Sequence, residues 1–526
     1  MSPAPVPAAD PRRWWALGVL CLSLLVIGLD NTILNVALPT LERDLDASAS
    51  QLQWIVDAYL LVFAGLLLTA GSLGDRFGRK RALTAGLLVF GTGSALSAAA
   101  GSAGALIASR ALMGVGAALI MPSTLSILTA TFPADERPKA IGIWTACSGI
   151  GIAIGPTAGG WLIEHYDWSA VFLVNLPVVA LALAAGRPLL SESSDPAVPR
   201  LDLGGFGLSI AALVTLVWAI IEAPERGWTD PTTLAAFAVA GVLLAVFVRW
   251  ELRVAQPMLD VRLFRHPRFT AASGAISLAF FALFGMIFFL TQYMQTVLGY
   301  TALQSGVRML PVAGALIVAG GLSQPLTARH GTTRMVAGGL TVASAGLALL
   351  GLAGAEDGIA AVIASEVVVG LGFGLAMAPA TESIMGSLPL ARASVGSAVN
   401  DTTRTTGGAL GVAILGSLLS TGYRGDMDDA VAGLPPAAAA AAGDSVRGAM
   451  AVADRLGAGG DALATAAREA FVSGMHTSVI VAAAVMLGGA ALAYRFLPAQ
   501  AAPATIEPAQ PAEPAELPPV AERVAA

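Results

Sequence analysis

The amino-acid sequence predicts an all-α integral membrane protein with 14 transmembrane helices, built from two parallel six-helix repeats plus two inserted helices. Composition is the first reason: 56% of the 526 residues are hydrophobic, 12% are charged, and the mean hydropathy is +0.74. Soluble domains carry about 25% charged residues. The second reason is a series of long apolar segments, and the third is a repeat between the two ends of the chain.

Fourteen apolar segments are long enough to cross a bilayer, which takes about 20 residues of helix. They lie at 14–38, 52–72, 82–101, 104–130, 139–162, 168–187, 203–222, 232–250, 269–291, 305–326, 335–354, 358–379, 394–420 and 474–497. The links that follow even-numbered segments hold most of the basic residues, as at 76–81 and 249–268. By the positive-inside rule, this bias predicts that both termini face the cytoplasm.

These segments define the expected domain plan. We expect a cytoplasmic N-terminus at 1–13, a six-helix bundle at 14–187, two linker transmembrane helices with a cytoplasmic loop at 188–268, and a second six-helix bundle at 269–498. Within the second bundle, the Ala-rich residues 421–473 are expected to form an outer loop with one or two short surface helices. Residues 499–526 are rich in Pro, Ala and Glu, a composition typical of a disordered cytoplasmic tail.

A repeat at an offset of 256 residues relates the two bundles. Residues 105–121 align with residues 361–377, with identical side chains at eight positions that include two glycines. Because this offset covers eight helices, an even number, the two repeats cross the membrane in the same direction. Parallel repeats around a central cavity are typical of transporters that work by alternating access.

The fifth apolar segment contains a glycine-rich stretch, G-I-G-I-A-I-G-P-T-A-G-G, at residues 149–160. Gly151, Gly155 and Gly159 recur every fourth residue, so they share a helix face that another helix can approach closely. Pro156 removes one helical hydrogen bond, which a membrane helix tolerates where a neighbour satisfies the freed carbonyl. Helix packing without any further role is the alternative interpretation.

Five motifs in chain order resemble those of the major facilitator superfamily, and in particular of its fourteen-span drug/proton antiporter family of multidrug efflux transporters. They are L-D-N-T-I-L-N-V-A-L-P at 29–39, G-S-L-G-D-R-F-G-R-K-R at 71–81, the span-4 segment 106–116, the antiporter motif at 149–160 and W-S-A-V-F-L-V-N-L-P at 168–177. The resemblance covers nearly all of residues 14–498. One departure is Met113, where the span-4 motif often has Gln.

The resemblance implies two sets of site residues. The loop at 71–81 would act as a conformational latch that breaks when the two halves rock; its residues are Gly71, Gly74, Asp75, Arg76, Gly78 and Arg79. The antiporter motif would comprise Gly151, Gly155, Pro156, Gly159 and Gly160. The alternative for the loop at 71–81 is that its basic residues serve only to hold it on the cytoplasmic side of the membrane. The second copy of the loop aligns residues 329–334 with residues 76–81, at an offset slightly different from 256. It has Ala328 in place of Asp75, which makes a one-sided latch the expectation.

Three charged residues lie inside predicted spans: Asp30, Asp57 and Arg110. At about 1.5 Å per residue, all three lie in the outer half of the membrane. Such groups are costly in lipid and normally face a bundle interior or a watery cavity. We expect Asp30 to be the main proton-coupling carboxylate, Asp57 a second proton or cation site, and Arg110 the group that tunes both. The alternative is a static ion pair that orients spans 1 and 4.

The second bundle supplies candidate substrate contacts. Glu366 occupies the repeat position of the span-4 arginine and reverses the charge at that depth. Asp401 and Arg404 are three residues apart and share a helix face, where a local ion pair is the alternative. Phe284 and Phe288 also share a face, a pattern that suits apolar ligands and equally suits packing.

Together these features predict a proton-coupled secondary active exporter, an antiporter, of amphipathic drugs or antibiotics that works by alternating access. Its expected partners are a small amphipathic substrate, protons and the lipid bilayer, with no nucleic acid, and it is expected to act as a monomer in the bacterial cytoplasmic membrane. No enzyme activity, cofactor or metal is expected, because no nucleophile–base pair, phosphate-binding loop or metal-ligand cluster is visible. The alternatives are an exporter dedicated to one endogenous metabolite and a non-transporting receptor or scaffold.

Overall fold

The computed structural model describes residues 12–133, 136–194, 202–356, 358–385 and 393–497. The predicted tail at 499–526 and most of the N-terminal segment lie outside the described residues. The α-helices in chain order are α1 (Arg13–Leu45), α2 (Ala49–Phe77), α3 (Arg79–Ala98), α4 (Ala103–Thr131), α5 (Arg137–His165), α6 (Ala170–Leu173), α7 (Asn175–Leu189), α8 (Leu203–Arg226), α9 (Pro231–Glu251), α10 (Pro267–Gln292), α11 (Ala302–Arg308), α12 (Leu310–His330), α13 (Thr332–Leu350), α14 (Ile359–Met385), α15 (Ala393–Val431), α16 (Pro436–Asp444), α17 (Val446–Leu456) and α18 (Asp461–Phe496).

Thirteen helical segments of the described chain are long and apolar enough to cross a membrane. In this set α6 and α7 form one span, and α11 and α12 form another. Helix α3, which the sequence predicts as a further span, is not in this set. It has 20 residues, begins with a basic turn, and packs on α4 and α7. The predicted all-α membrane fold is confirmed.

The segment between α15 and α18 is shorter than the expected outer loop. Helix α15 runs to Val431 and α18 begins at Asp461, so the linking residues are 432–460 instead of 421–473. The extended parts of α15 and α18 lie against each other, and the Tyr423 hydroxyl of α15 donates to Ala442 O of α16 over 2.8 Å. The linking residues, which include α16 and α17, are called the cap below.

Two groups of helices repeat the same packing pattern. The first half contains α1–α7, and the second half contains α10–α15 with α18. Helix α1 packs on α5 and α4 packs on α2 and α3, as α10 packs on α15 and α14 packs on α12 and α13. Gly116 of α4 touches the backbone of Phe90 in α3, and Gly372 of α14 touches the backbone of Ala343 in α13. The sequence repeat is therefore also a repeat of helix packing.

The two inserted helices lie at the seam between the halves. Helix α8 packs on α2 of the first half and on α15 of the second. The Ser417 hydroxyl donates to Ile220 O over 2.8 Å, and Gly65 leaves space for the side chain of Ile210. Helix α9 packs mainly on α8 and exposes most of its apolar side chains. Thus α8 covers the seam, and α9 presents an apolar surface suited to lipid.

The halves meet at the end of the bundle that carries the cap, called the cap end. The Gln295 amide donates to Val36 O over 2.9 Å, and the Thr157 hydroxyl donates to Gly306 O over 3.2 Å. Between residues of the described ranges, every hydrogen bond and ion pair that joins the two halves lies toward this end.

A small cavity beneath the cap marks how tightly the halves close there. Its volume is about 40 Å³, and both halves line it, with Gln53 on one side and Phe288 and Gln292 on the other. Such a cavity holds at most a few water molecules. This cavity therefore has no room for a larger molecule.

Candidate transport site

A deeply buried ion pair joins α1 to α4 in the first half. Arg110 Nη1 donates to Asp30 Oδ2 over 2.6 Å, and the two side chains are 2% and 0% exposed. Asp30 Oδ1 has no hydrogen-bond partner within the described part of the chain. The structure therefore brings together two of the three predicted proton-coupling residues, and it leaves one carboxylate oxygen unsatisfied.

Arg110 is held by further contacts around this pair. Its Nε donates to Ile55 O in α2 over 3.1 Å, and its guanidinium lies 4.4 Å from the centre of the Tyr59 ring. The Met113 sulfur lies 3.8 Å from Nη1. A backbone carbonyl, an aromatic face and a weak sulfur acceptor thus surround the guanidinium in this chain, where the related motif often has Gln.

Asp57 and Glu366 are also fully buried, and within the described residues neither has a partner. Both are 0% exposed, and none of their carboxylate oxygens has a hydrogen-bond partner in the described ranges. No ion pair joins Asp57 to Arg110 there, although the sequence led us to expect that Arg110 tunes both acids. An ionised carboxylate without a partner is costly to bury. Two such acids inside the helix bundle are therefore candidates for a functional role.

The remaining candidates of the second half have different surroundings. Arg404 Nη2 lies 3.3 Å from Asp401 Oδ1, so the local ion pair is present, and the Arg404 guanidinium lies 5.3 Å from the Phe280 ring centre. Phe288 is 3% exposed and packs into the apolar core of the first half, against which Phe284 also packs. The two phenylalanines therefore bridge the halves.

One face of the glycine motif in α5 packs against α1. A Cβ at Gly151 would lie 2.9 Å from Leu25 O, and a Cβ at Gly159 would lie 3.0 Å from Ile33 O. Gly155 lies against the side chain of Thr32 in the same way. These glycines therefore allow the close helix approach within the first half that their spacing predicts.

A second face of the same motif contacts the other half. A Cβ at Gly160 would lie 2.5 Å from both Ala302 O and Leu303 Cα in α11. The Pro156 carbonyl lies against Gly306, where a Cβ would clash with it. The sequence spacing did not predict this second contact. The motif thus packs on α1 and also closes the cap end.

The predicted latch lies at the end of the bundle opposite the cap end. Arg79 Nε lies 2.6 Å from Asp75 Oδ1, and Gly78 between α2 and α3 has φ +115°, a conformation that favours glycine. The Arg76 guanidinium lies 5.5 Å from the neighbouring Phe77 ring. The pair of Asp75 and Arg79 lies within the first half.

The other two latch glycines lie on the face of α2 that packs on α4. A Cβ at Gly71 would lie 3.4 Å from the Pro122 side chain, and one at Gly74 would lie 3.2 Å from the Ser123 hydroxyl. Gly71 and Gly74 therefore allow α2 to pack closely on α4 within the first half.

The cap carries polar contacts that the sequence analysis missed. Arg447 Nε lies 3.7 Å from Glu42 Oε2 in α1, and the Ala49 N–H at the start of α2 donates to Asp444 Oδ2 over 3.3 Å. Asp444 also pairs with Arg424 of α15. Burial raises the pKa of the Asp444 carboxyl, and Arg424 opposes that shift. These contacts connect the cap, which belongs to the second half, to the first half. The charged residues within this Ala-rich segment were the feature of the sequence that could have indicated such contacts.

Removing the arginine of the buried pair should destabilise the protein strongly. We expect Arg110→Met to lower the free energy of unfolding by about 3–5 kcal/mol, because the Asp30 carboxylate is left buried without a partner. The double variant Asp30→Asn with Arg110→Met should recover much of this loss, since neither charge of the pair then remains. Thermal unfolding of the purified protein in detergent measures both effects.

An exposed pair supplies the matched control. Arg226 and Glu222 lie 3.3 Å apart, and the arginine side chain is 47% exposed. Arg226→Met should change the free energy of unfolding by only about 0–1 kcal/mol. Equal losses at the two arginines, or no recovery in the double variant, would contradict the assignment of a coupled buried pair.

Two repeated bundles of parallel orientation, closed against each other at one end around buried charges, define the class of α-helical membrane transporters. The chain belongs to the major facilitator superfamily, whose family model matches residues 20–412. The predicted family is confirmed, and the protein is a multi-pass membrane transporter and not an enzyme.

Curated relatives extend over almost the whole chain. The multidrug efflux pump LfrA of Mycolicibacterium smegmatis is 41% identical, with 91% of this chain and 95% of the relative covered. The tetracenomycin C resistance and export protein of Streptomyces glaucescens is 35% identical, with 93% and 92% covered. The methyl viologen resistance protein SmvA of Salmonella typhimurium is 34% identical, with 90% and 96% covered.

A solved structure supports the fold. A bacterial homologue of the human lysosomal transporter Spinster, crystallised in an inward-facing and unoccupied conformation, matches with a TM-score of 0.64. The sequences are 18% identical, and 93% of this chain and 99% of that chain are covered.

Proposed function

We propose that this protein is a proton-coupled exporter of amphipathic drugs or antibiotics, and that it works by alternating access. The observation that carries the proposal is the buried pair of Asp30 and Arg110, in which one carboxylate oxygen is left unsatisfied. A scaffold or receptor has no need for such a costly group inside the membrane. The names of the relatives, which include a multidrug efflux pump and an antibiotic export protein, support the substrate class.

The two halves, residues 14–187 and 269–498, would be the bodies that rock against each other. The halves are closed against each other at the cap end. Toward the other end, the described residues form no polar contact between the halves. This arrangement corresponds to one extreme of the rocking motion. With both termini in the cytoplasm, as the basic residues favour, this is the conformation that faces the cytoplasm. The cap contacts would open in the other extreme of the motion, and the latch pair of Asp75 and Arg79, which is formed here within the first half, would rearrange when that end closes.

Within this cycle, Asp30 would exchange a proton as its pairing with Arg110 tightens and loosens. Asp57 and Glu366 would each hold a proton while enclosed without a partner, and release it when a rearrangement admits water. The face formed by Phe284 and Phe288 between the halves would contact the apolar part of the substrate. The acid at Glu366 and the pair of Asp401 and Arg404 would add polar contacts.

The proposal is tested with the full-length protein in liposomes that are acidic inside and contain a pH-sensitive dye. Cationic, neutral and anionic amphipaths are added separately outside. We expect at least one class, most directly the cationic one, to cause proton exit that saturates with concentration. Vesicles without protein control for passive leakage of protons and compounds.

The same assay separates the alternatives. Proton exit caused by one host metabolite and by no member of the panel would replace the multidrug function with a dedicated exporter. Binding of compounds without any proton movement, in protein that unfolds cooperatively, would contradict coupling. Such a result would favour the non-transporting role.

A further inference from the structure

We propose that the second half binds the phosphate of an anionic phospholipid in a basic cleft at the end of the bundle opposite the cap end. The cleft has a volume of about 910 Å³ and is formed where α12, α13, α14 and α18 end or begin. Its ionisable lining residues are Arg329, His330, Arg334, Glu382 and Arg495. This inference is independent of the proposed export activity.

Within the described part of the chain, no acidic side chain pairs with the arginines of the cleft. Among the described residues, Arg329, Arg334 and Arg495 form no ion pair. Glu382 is the single acid in the lining, and it makes no ion pair with them. Three guanidinium groups without an ion pair in the described residues offer N–H donors of the kind that bind the oxygen atoms of a phosphate.

The backbone at the cleft adds to this attraction. Helix α13 begins at Thr332, directly after Gly331, and no side chain caps its first turn. The first N–H groups of a helix lack partners within the helix and carry partial positive charge. Anions bind at such helix ends when cationic side chains accompany them.

The corresponding site in the first half already contains a carboxylate. Helix α3 begins directly after Gly78, and the Lys80 N–H in its first turn donates to Glu192 Oε1 over 3.0 Å. Glu192 Oε2 lies 3.7 Å from Arg81 Nε. Glu192 follows the end of α7, and Lys80 Nζ also donates to Leu190 O there over 2.7 Å. An acidic group thus satisfies this helix start and its basic residues.

The second half repeats the geometry without the acid. The Thr333 hydroxyl, at the repeat position of Lys80, donates to Leu497 O at the end of α18 over 2.8 Å. No carboxylate of the described chain reaches the first turn of α13 as Glu192 reaches α3. The repeat therefore identifies a place for an anion that the described residues do not fill.

The position of the cleft favours a lipid over a soluble phosphate. Ile480, Leu487 and Tyr494 recur every seventh residue of α18 and are 68%, 47% and 71% exposed. On a membrane-spanning helix, such an exposed apolar stripe faces lipid, and its last member, Tyr494, lines the cleft. Tyrosine is enriched at the headgroup level of membranes, and basic pockets between helix ends bind lipid headgroups. The cleft therefore opens where phospholipid phosphates lie.

The test measures lipid retention by the full-length protein with native mass spectrometry, after titration with phosphatidylglycerol or phosphatidylcholine. We expect wild-type protein to retain phosphatidylglycerol about tenfold more strongly, and the variant Arg329→Gln, Arg334→Gln, Arg495→Gln to lose this preference. The control removes the exposed Arg249, Arg253 and Arg265 by the same substitution and should keep the preference.

Several outcomes would overturn the proposal. The first is an unchanged lipid preference in the triple variant of the cleft arginines, and the second is an equal loss of preference in the control variant. The third is complete displacement of phosphatidylglycerol by inorganic phosphate at the same concentration. If the preference for phosphatidylglycerol is seen only after the residues that follow Leu497 are removed, the acidic residues of the tail, and not a lipid, occupy the cleft. Arg495→Gln alone, at an exposed position, serves if the triple variant fails to fold, and a partial loss of preference is then expected.

Discussion

Replacing Asp30 by Asn should reduce substrate-driven proton exit from liposomes to the level of protein-free vesicles. Asparagine has nearly the same size and can still accept a hydrogen bond from Arg110, but it cannot exchange a proton. The loss should therefore concern coupling more than substrate binding. The pH-dye assay measures proton exit, and equilibrium binding of the same compound measures what is retained.

The control for this variant is Glu222→Gln, which removes an acid from the exposed pair with Arg226. This variant should transport protons at the wild-type rate. Size-exclusion profiles and unfolding temperatures must show that both variants are folded. Full coupling in Asp30→Asn would contradict the assignment and would move the coupling role to Asp57 or Glu366, the buried acids for which the described chain supplies no partner.

Gly160→Val should prevent closure of the cap end. The new side chain would meet Ala302 and Leu303 of the other half, whose backbone atoms lie 2.5 Å from the position of its Cβ. Backbone cannot yield as a flexible side chain does, and overpacking costs about 1–3 kcal/mol, so the ratio of closed to open protein should fall about 5-fold to 150-fold. Transport should be lost while each half stays folded, since the clash lies between the halves.

Spin labels report this change directly. We would attach them at Arg43 and Thr301, exposed positions at the cap end in the two halves, in a chain whose Cys21 and Cys147 are replaced by Ser. Gly160→Val should shift their distance distribution to longer values. Gly149→Val is the matched control on α5, because nothing lies within 4 Å of a Cβ there. An unchanged distribution in Gly160→Val would show that the closed end tolerates the side chain.

The sequence alone determined the class of the protein. Apolar segments of bilayer length dictate membrane-spanning helices, because no other structure satisfies the backbone of such segments in lipid. The repeat at 256 residues predicted two similar halves, and glycines every fourth residue predicted the close contact of α5 with a neighbouring helix. Each of these features depends on residues close in sequence, or on a pattern that recurs at fixed spacing.

Only the tertiary structure decided which groups meet. Asp30 and Asp57 are both acids inside predicted spans, yet Asp30 pairs with Arg110, 80 residues away, and Asp57 has no partner in the described chain. Asp444 meets the start of α2 from 395 residues away, and Gly160 closes against α11. The physical reason is that a partner far along the chain is set by how helices cross and rotate. That arrangement results from packing over the whole bundle, and the periodicity of a single segment does not encode it.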